Sequence, residues 1–335
     1  MIKRFALAAI FALVAAAGWM AKEMNTPSAL PRLPFEFSIN HGSSLKSVSN
    51  QLSAAGVVRY PWNFSLLVRV MGKAGEIKAG NYLVDQNVTP LQLFYKITRG
   101  DVTQSDITFI EGWNFRQVRS ALDQMQGVRH DTAGLTAQEI LAKIGATESH
   151  PEGLFFPDSY YFTSGMSDLS ILKRAYQAMQ THLAKAWSER DARLPYTDPY
   201  QALIMASIVE KETGRAIERP LIAAVFLNRL RVGMRLQTDP TVIYGLGESY
   251  DGNIHKRDLL ADTPYNTYTR AGLPPTPIAI PGLDAIHAAL HPKQTQAYYF
   301  VAKGDGTHIF SSNLNEHNRA VSRYQKSVTA QNKVN

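Results

Sequence analysis

The amino-acid sequence predicts an α+β protein with three parts: an N-terminal single transmembrane helix, a small β-α-α-β module and a larger α+β domain. An uncharged apolar run predicts the first part, and strand patterns alternating with helical patterns predict the second. A well-delimited apolar helix between residues 199 and 213 marks the third. Of the 335 residues, 45% are hydrophobic and 19% charged, which provides a sizeable core and excludes disorder for most of the chain.

Residues 1–24 are predicted to form a cytoplasmic tip and a membrane anchor. The 17 residues from Phe5 to Ala21 carry no charge. As a helix rising about 1.5 Å per residue, they would cover roughly 26 Å of a bilayer core of about 30 Å. Lys3 and Arg4 precede the run, so the positive-inside rule places the N-terminus in the cytoplasm and the body outside it. A signal peptide cleaved near the small residues 15–17 is the alternative, and it also exports the rest of the chain.

Residues 25–34 are predicted to form a proline-rich linker and residues 326–335 a polar tail.

The composition narrows the choice of partners. The formal net charge of +7 favours nucleic acid, anionic lipid or an acidic wall polymer, and export from the cytoplasm argues against nucleic acid. The absence of cysteine excludes a thiol nucleophile, a disulfide framework and an iron–sulfur cluster.

Residues 35–105 are predicted to form a strand–helix–helix–strand module. Phe35–Ile39 alternates like a strand, a helical apolar pattern then runs to Gly56, and Trp62–Met71 is the second helix. Tyr82–Val84 is the second strand, and Pro90 opens a further helix. This order resembles a LysM-like carbohydrate-binding module, and an α+β spacer domain is the alternative.

The larger domain, residues 106–325, is predicted to begin with a strand at Ile107–Ile110. A capping box from Thr136 to Glu139 opens one of its helices. Its clearest helix covers Pro199–Thr213 and has Asp198 as its cap. Because residues 202–209 are apolar almost all round, this helix is expected to be buried.

Two carboxylates, Glu210 and Glu212, close this helix. Residues two positions apart lie on different faces, so their surroundings differ. The small residues Ala206 and Ser207 leave room for a ligand beside Glu210, whereas bulky residues flank Glu212. A carboxyl held against an apolar helix has a raised pKa, which suits a general acid, and Glu210 is the predicted catalytic acid. The alternative is that both glutamates are solvated charges at the helix end.

Polar and aromatic residues suited to binding a sugar cluster in the segments around this helix. The predicted substrate-binding residues are Glu152, Gln237, Thr238, Asp239, Tyr244, Asn266 and Tyr268. Turn chemistry and core packing are the alternative explanation for each of them. His287 and His291 have a metal-compatible spacing, but no acidic third ligand lies near them in the sequence. Neither a metal nor another cofactor is therefore expected.

A series of segments resembles one known family. The segment Ala206–Thr213 (Ala-Ser-Ile-Val-Glu-Lys-Glu-Thr) resembles the catalytic signature of the YceG-like family of membrane-anchored endolytic murein transglycosylases. Further segments match this family in order: 152–153 and 157–158 upstream, then 228–230, 233–245, 265–268, 272–275, 277–278, 281–282 and 291–292. The likeness extends over nearly the whole chain, so residues 106–325 would be a YceG-like catalytic domain. The resemblance implies that Glu210 is the single catalytic acid.

The resemblance also implies an activity, a location and partners. The activity would be a lyase reaction that cleaves the β-1,4 bond between N-acetylmuramic acid and N-acetylglucosamine within nascent peptidoglycan strands. It would leave 1,6-anhydromuramic ends and terminate strand elongation. The location would be the cell inner membrane, as a single-pass protein with its catalytic domain in the periplasm, and wall synthases (penicillin-binding proteins) would be partners.

The residues themselves leave two other functions open. One is a two-carboxylate muramidase, a hydrolase in which Glu210 is the acid and Asp239 the base. The other is a non-catalytic wall-binding scaffold in which Glu210 is structural.

Overall fold

The computed structural model describes residues 2–28, 30, 33, 35–40, 42–84, 86–102 and 105–331 of the chain. Contacts between residues divide the chain into two compact units. Unit 1 comprises Met1–Asp106 with the segments Met125–Arg129 and Tyr161–Ser167. Unit 2 comprises Ile107–Gln124, His130–Tyr160 and Asp168–Asn335. Helices and small sheets occur together, which confirms the predicted α+β class.

Unit 1 contains a two-stranded sheet covered by helices. Its elements are α1 (Ile2–Asn25), β1 (Phe35–Ile39), α2 (Leu45–Ala54), α3 (Pro61–Val70), β2 (Gly80–Val84) and α4 (Pro90–Arg99). β1 and β2 pair antiparallel, with Phe35 opposite Val84 and Ile39 opposite Gly80. The order β1-α2-α3-β2 is the predicted one, and the LysM-like assignment stays a prediction.

A buried apolar cluster holds this sheet against its helices. The cluster includes Val48 from α2, Phe64 from α3 and Phe94 from α4. The ring of Tyr82 on β2 stacks on Phe37 on β1, with ring centroids 5.3 Å apart. Since apolar side chains from both strands and from α2, α3 and α4 meet here, burial of this cluster stabilises the unit.

α1 is the helix that contains the predicted membrane anchor. Among its described side chains, Leu7, Phe11 and Val14 are exposed. Trp19, further along α1, stacks on Trp62 of α3, with ring centroids 6.0 Å apart. Within the described residues, no helix combines the length and the apolar character needed to cross a membrane.

Unit 2 is mainly helical. Its helices are α5 (Phe115–Gln124), α6 (Ala137–Ile144), α7 (Asp168–Ser188), α8 (Pro199–Glu212), α9 (Arg219–Arg231), α10 (Asp239–Leu246), α11 (Lys256–Leu260), α12 (Leu283–Leu290) and α13 (Leu314–Gln331). Its two-stranded sheet pairs β5 (Tyr299–Ala302) with β6 (His308–Ser311). A further pair, β3 (Ser105–Thr108) and β4 (Ser159–Phe162), has residues assigned to each of the two units.

α8 forms the centre of unit 2 and packs against α9 and α12. Residues 202–209 are all buried, which confirms the expected burial of this helix. Asp198 Oδ1 accepts a hydrogen bond from the Gln201 N–H at 3.0 Å, so Asp198 is the cap. The helix ends at Glu212. Both glutamates therefore lie on its last turn, where α8 leaves the core.

Candidate active site

Glu210, the predicted acid, lies in a buried cluster of charges. Its Oε1 accepts a hydrogen bond from Arg219 Nη2 at 2.9 Å, and its Oε2 accepts one from the Gly282 N–H at 3.0 Å. The side chains of Glu210 and Arg219 are only 6% and 8% exposed. Arg219 also lies 3.8 Å from Glu111 and 3.5 Å from Asp284. Burial raises the pKa of Glu210, while the Gly282 N–H and Arg219 act in the opposite direction.

The small residues beside Glu210 accommodate the protein's own backbone. Ser207 Oγ accepts a hydrogen bond from the Ile278 N–H at 3.0 Å and donates one to Ile204 O at 2.7 Å. Ala206 is completely buried. The small size of these two residues predicts a space open to a ligand beside Glu210. In the structure the segment 278–282, which leads into α12, contacts this side of the helix through Ile278 and Gly282.

Glu212 lies in different surroundings, where it lines a cavity of about 510 Å³. Thr238 Oγ1 donates a hydrogen bond to Glu212 Oε1. Burial raises the pKa of Glu212 to about 7, although Thr238, His308 and Arg229 each favour the ionised form. At neutral pH such a carboxyl is present in both its protonated and its ionised form. This is the property required of a group that first donates and then accepts a proton.

The cavity brings together parts of unit 2 that are distant in sequence. Four of the predicted substrate-binding residues line it together with Glu212: Gln237, Thr238, Asp239 and Tyr268. The predicted acid Glu210 is engaged instead with Arg219 and Gly282. The geometry thus groups four of the seven predicted binding residues around the second glutamate of α8.

A strained turn carries the residues that approach Glu212. The Gln237 N–H donates to Thr267 O at 3.1 Å, and the Thr238 N–H donates to Thr267 Oγ1 at 3.1 Å. Gln237 has a φ of +50°, which is uncommon for a residue with a side chain. Such strain persists only where surrounding contacts fix the backbone, and it is frequent at functional sites. Here the turn directs the Thr238 hydroxyl to the carboxyl and starts α10 at Asp239.

Charges and rings in the cavity suit a polyhydroxylated ligand. The Tyr268 hydroxyl donates to Asp239 Oδ1, and this carboxylate is exposed. Arg229 is buried, and its guanidinium donates to two backbone carbonyls and lies 5.4 Å from the ring centroid of Tyr299. The cavity thus offers hydrogen-bonding groups for hydroxyls and aromatic rings for the faces of a sugar.

The other three predicted binding residues make their hydrogen bonds within the protein. Glu152 is 3% exposed and accepts bonds from the Phe115 N–H and the Tyr244 hydroxyl, each at 3.0 Å. Burial raises its pKa to about 7. Asn266 is 1% exposed; its Nδ2 donates to backbone carbonyls, and its Oδ1 accepts from the Tyr268 N–H at 2.9 Å. Glu152 and Tyr244 therefore connect α5 to α10, and Asn266 shapes the loop that carries Tyr268.

Tyr299, His308 and His317 are among the residues of the cavity wall that were not predicted from the sequence. They come from β5, β6 and α13. His308 Nδ1 lies 2.8 Å from Glu218 Oε2, and the ring of His317 stacks on Tyr299 with centroids 5.2 Å apart. The density of histidine and tyrosine between residues 298 and 317 is the one sequence feature that could have indicated them. In the described part of the chain, no three acidic or histidine side chains are grouped so as to hold a metal ion.

Fold and site together define a class of protein: an α+β domain with one partly buried glutamic acid in a polar, aromatic cavity. Residues 37–323 match the YceG-like family. The chain belongs to this family.

Relatives of known name support this assignment. The chain is 31% identical over 311 residues to an endolytic murein transglycosylase of Bacillus subtilis (strain 168), covering 86% of this chain and 84% of the relative. It is 26% identical over 356 residues to an endolytic murein transglycosylase of Streptococcus pneumoniae serotype 2 (strain D39 / NCTC 7466), covering 94% of this chain and 64% of the relative. The crystal structure of a yceG-like protein from Listeria monocytogenes is similar, with a TM-score of 0.56 and 30% identity over 85% of this chain and 98% of that one.

Proposed function

We propose that this chain is a peptidoglycan lytic transglycosylase, a carbon–oxygen lyase, in which Glu212 is the catalytic acid and base. The observation that carries the proposal is the position of Glu212. A carboxyl with a pKa of about 7 lines the same cavity as Gln237, Asp239 and Tyr268. Membership of the YceG-like family, with relatives named endolytic murein transglycosylase, supplies the substrate class.

The reaction moves one proton out and one proton back. Protonated Glu212 gives its proton to the oxygen that links N-acetylmuramic acid to N-acetylglucosamine, and the bond between C1 and that oxygen breaks. The Glu212 carboxylate then takes the proton of the C6 hydroxyl of the same muramic acid as this hydroxyl attacks C1. A 1,6-anhydro ring forms, the carboxyl is protonated again, and no water is consumed.

One carboxyl is sufficient for this chemistry because the nucleophile belongs to the substrate. Ordinary glycosidases need a second carboxylate to activate water or to attack the sugar. A tethered hydroxyl acts at an effective concentration on the order of 10⁵ M or more in favourable intramolecular reactions. The protein must therefore orient the muramic acid and shuttle the proton.

The surroundings of Glu212 fit these two tasks. Thr238 fixes one oxygen of the carboxyl, which leaves the other for the substrate. Asp239, held by the Tyr268 hydroxyl, is an anion in the same cavity and can stabilise positive charge that develops at C1. Arg229 is a fixed cation that helps return Glu212 to its ionised form.

Substitution of each glutamate distinguishes Glu210, the acid predicted from the sequence, from Glu212 as the catalytic residue. Glu210 uses both of its oxygens within the protein, one with Arg219 and one with Gly282. Glu210→Gln should therefore lower stability and keep cleavage in the folded fraction, whereas Glu212→Gln should abolish cleavage. The reverse pattern would return the catalytic role to Glu210.

The products test the reaction type. Purified sacculi would be digested by the full chain in detergent, in water enriched in ¹⁸O, and the released fragments weighed by mass spectrometry. Anhydro ends free of ¹⁸O are expected. Reducing ends that carry ¹⁸O would refute the lyase reaction, and sacculi that bind the protein without releasing fragments would indicate the non-catalytic scaffold.

One observation favours the muramidase as a second candidate. Asp239 is an exposed carboxylate in the same cavity as an acid with a raised pKa, the combination that an inverting or retaining hydrolase uses. In that reaction Asp239→Asn would be inactive. In the lyase reaction this variant keeps anhydro products at a reduced rate.

Location and partners belong to the same proposal. The uncharged run from Phe5 to Ala21 and the exposed apolar side chains of α1 support an anchor in the cell inner membrane, with unit 2 in the periplasm. From there the enzyme would cut nascent strands endolytically and end their elongation beside the wall synthases. The LysM-like module would hold the glycan. Membrane fractionation of cells, followed by protease digestion of intact spheroplasts, tests the anchor and its orientation.

A further inference from the structure

α3 carries an apolar stripe on its exposed side. Trp62, Leu66 and Val70, which we call the α3 stripe, are 55%, 38% and 74% exposed. They follow at intervals of four residues, so they lie along one side of the helix. The opposite side, with Phe64 and Val68, is completely buried in the core of unit 1. The stripe thus lies outside the buried core of unit 1.

The α3 stripe continues into the apolar surface of α1. Trp62 stacks on Trp19, with an angle of 19° between the ring planes. Trp19 follows the exposed residues Phe11 and Val14 along α1. A tryptophan pair at the end of an apolar helix is typical of the level where lipid headgroups meet hydrocarbon.

Charge near the stripe favours an anionic surface. Between Glu36 and Glu76 the chain carries Lys46, Arg59, Arg69 and Lys73 and no aspartate or glutamate, and Lys73 forms an ion pair with Glu76, with Nζ and Oε2 2.7 Å apart. Arg59 precedes the stripe, and Arg69 lies beside its last residue. Both are exposed. An apolar stripe flanked by arginines is the arrangement by which a helix lies in a membrane interface containing anionic lipid.

We infer that α3 is an interfacial helix, and that unit 1 lies on an anionic bilayer with Trp62, Leu66 and Val70 inserted among the headgroups. The contact goes beyond anchoring by α1, because it holds unit 1 against the lipid instead of leaving it at the end of a linker. It involves no residue of the Glu212 cavity and is independent of cleavage.

The absence of cysteine from the chain makes a direct test possible. A nitroxide spin label would be attached to Val70→Cys in the full chain, reconstituted in vesicles of phosphatidylethanolamine and phosphatidylglycerol. Asn50→Cys, at an exposed polar position on α2 of the same unit, is the matched control. Accessibility to oxygen, which concentrates in lipid, and to a water-soluble nickel complex would be measured for both labels by electron paramagnetic resonance.

The label at residue 70 should be reached by oxygen and shielded from nickel, and the label at residue 50 should show the opposite. Adding Leu66→Asp to the Val70→Cys chain should return the label to water. Equal nickel accessibility at residues 70 and 50 would overturn the inference. So would shielding that weakens as the protein is diluted in lipid, since a second copy would then be covering the stripe.

Discussion

Replacing Glu212 by glutamine changes the dependence of folding stability on pH in a direction that the structure fixes. Burial raises the pKa of Glu212 from 4.5 to about 7. Below pH 4.5 the carboxyl is protonated in the folded and the unfolded chain, so it adds no cost. Between pH 4.5 and 7 the unfolded chain ionises first, and the folded chain becomes progressively less stable. Above pH 7 the full cost is present, about 3 kcal/mol at about 1.4 kcal/mol per pH unit.

Glutamine removes this cost and keeps an oxygen to accept the Thr238 hydroxyl. Glu212→Gln should therefore match the wild type in free energy of unfolding near pH 4.5 and exceed it by up to about 3 kcal/mol at pH 8. Urea unfolding followed by circular dichroism at the two pH values measures the difference. If the difference in free energy of unfolding between variant and wild type were the same at both pH values, the prediction would be refuted. Glu212 would then not be desolvated in the folded chain.

Glu139→Gln is the control for the sign of this effect. The pKa of the exposed Glu139 is lowered, chiefly by hydrogen bonds from the Thr136 backbone and hydroxyl. A carboxyl whose pKa is lowered by folding stabilises the folded chain at pH values above its pKa in the unfolded chain. This stabilisation is lost as the pH falls through the pKa in the folded chain. This variant should therefore be less stable than wild type at pH 8, with the deficit shrinking towards acid pH.

Three other substitutions give separate outcomes. Thr238→Val removes a hydrogen-bond donor that favours ionised Glu212, so the pKa of Glu212 should rise. The fall of kcat/KM at alkaline pH, measured on a soluble glycan, should therefore move to higher pH. If this fall stays at the same pH, Glu212 is not the titrating acid. Arg219→Met leaves buried Glu210 without its cation and should lower the free energy of unfolding by roughly 3–5 kcal/mol, measured in urea; a loss below 1 kcal/mol would contradict the assigned ion pair. Tyr244→Phe removes a hydrogen-bond donor to buried Glu152 and should lower the free energy of unfolding by about 1–3 kcal/mol. The loss should be larger at pH 8 than at pH 5, because this donor favours the ionised form of Glu152. A loss that is the same at both pH values would show that Glu152 stays protonated.

Local features of the sequence predicted the scaffold correctly where a few adjacent residues determine the structure. Asp198 and Pro199 fix the start of α8, and the uninterrupted apolar run fixes its burial. The box from Thr136 to Glu139 opens α6 as predicted, since both of its hydrogen bonds are present. These interactions span three or four residues, so no tertiary information is needed to infer them.

The surroundings of the two glutamates are not determined by the sequence near them. Small residues on a helix allow either a ligand or another segment of the chain to approach closely. The segment that does approach Ser207 begins at Ile278, 71 residues further on. Nothing near α8 in the sequence indicates that this contact forms, or that Thr238 reaches Glu212 from 26 residues away.

Only some of the residues that line the cavity could be predicted from the sequence. Gln237, Thr238, Asp239 and Tyr268 belong to polar motifs with turn residues, which made them visible in the sequence. Tyr299 and the histidines of its wall lie on strands of four residues and on α13. Strands this short carry too little alternation to be recognised, so their contribution became apparent only from the folded chain.

The most direct test of the account is the yield of anhydro-muropeptides per folded molecule from the wild type, Glu210→Gln and Glu212→Gln, measured on the same sacculi. Folded fractions would be taken from the unfolding curves at the pH of the assay. The wild type and Glu210→Gln should release anhydro products, and Glu212→Gln should release none. Normal turnover by Glu212→Gln, whatever the behaviour of Glu210→Gln, would contradict this prediction.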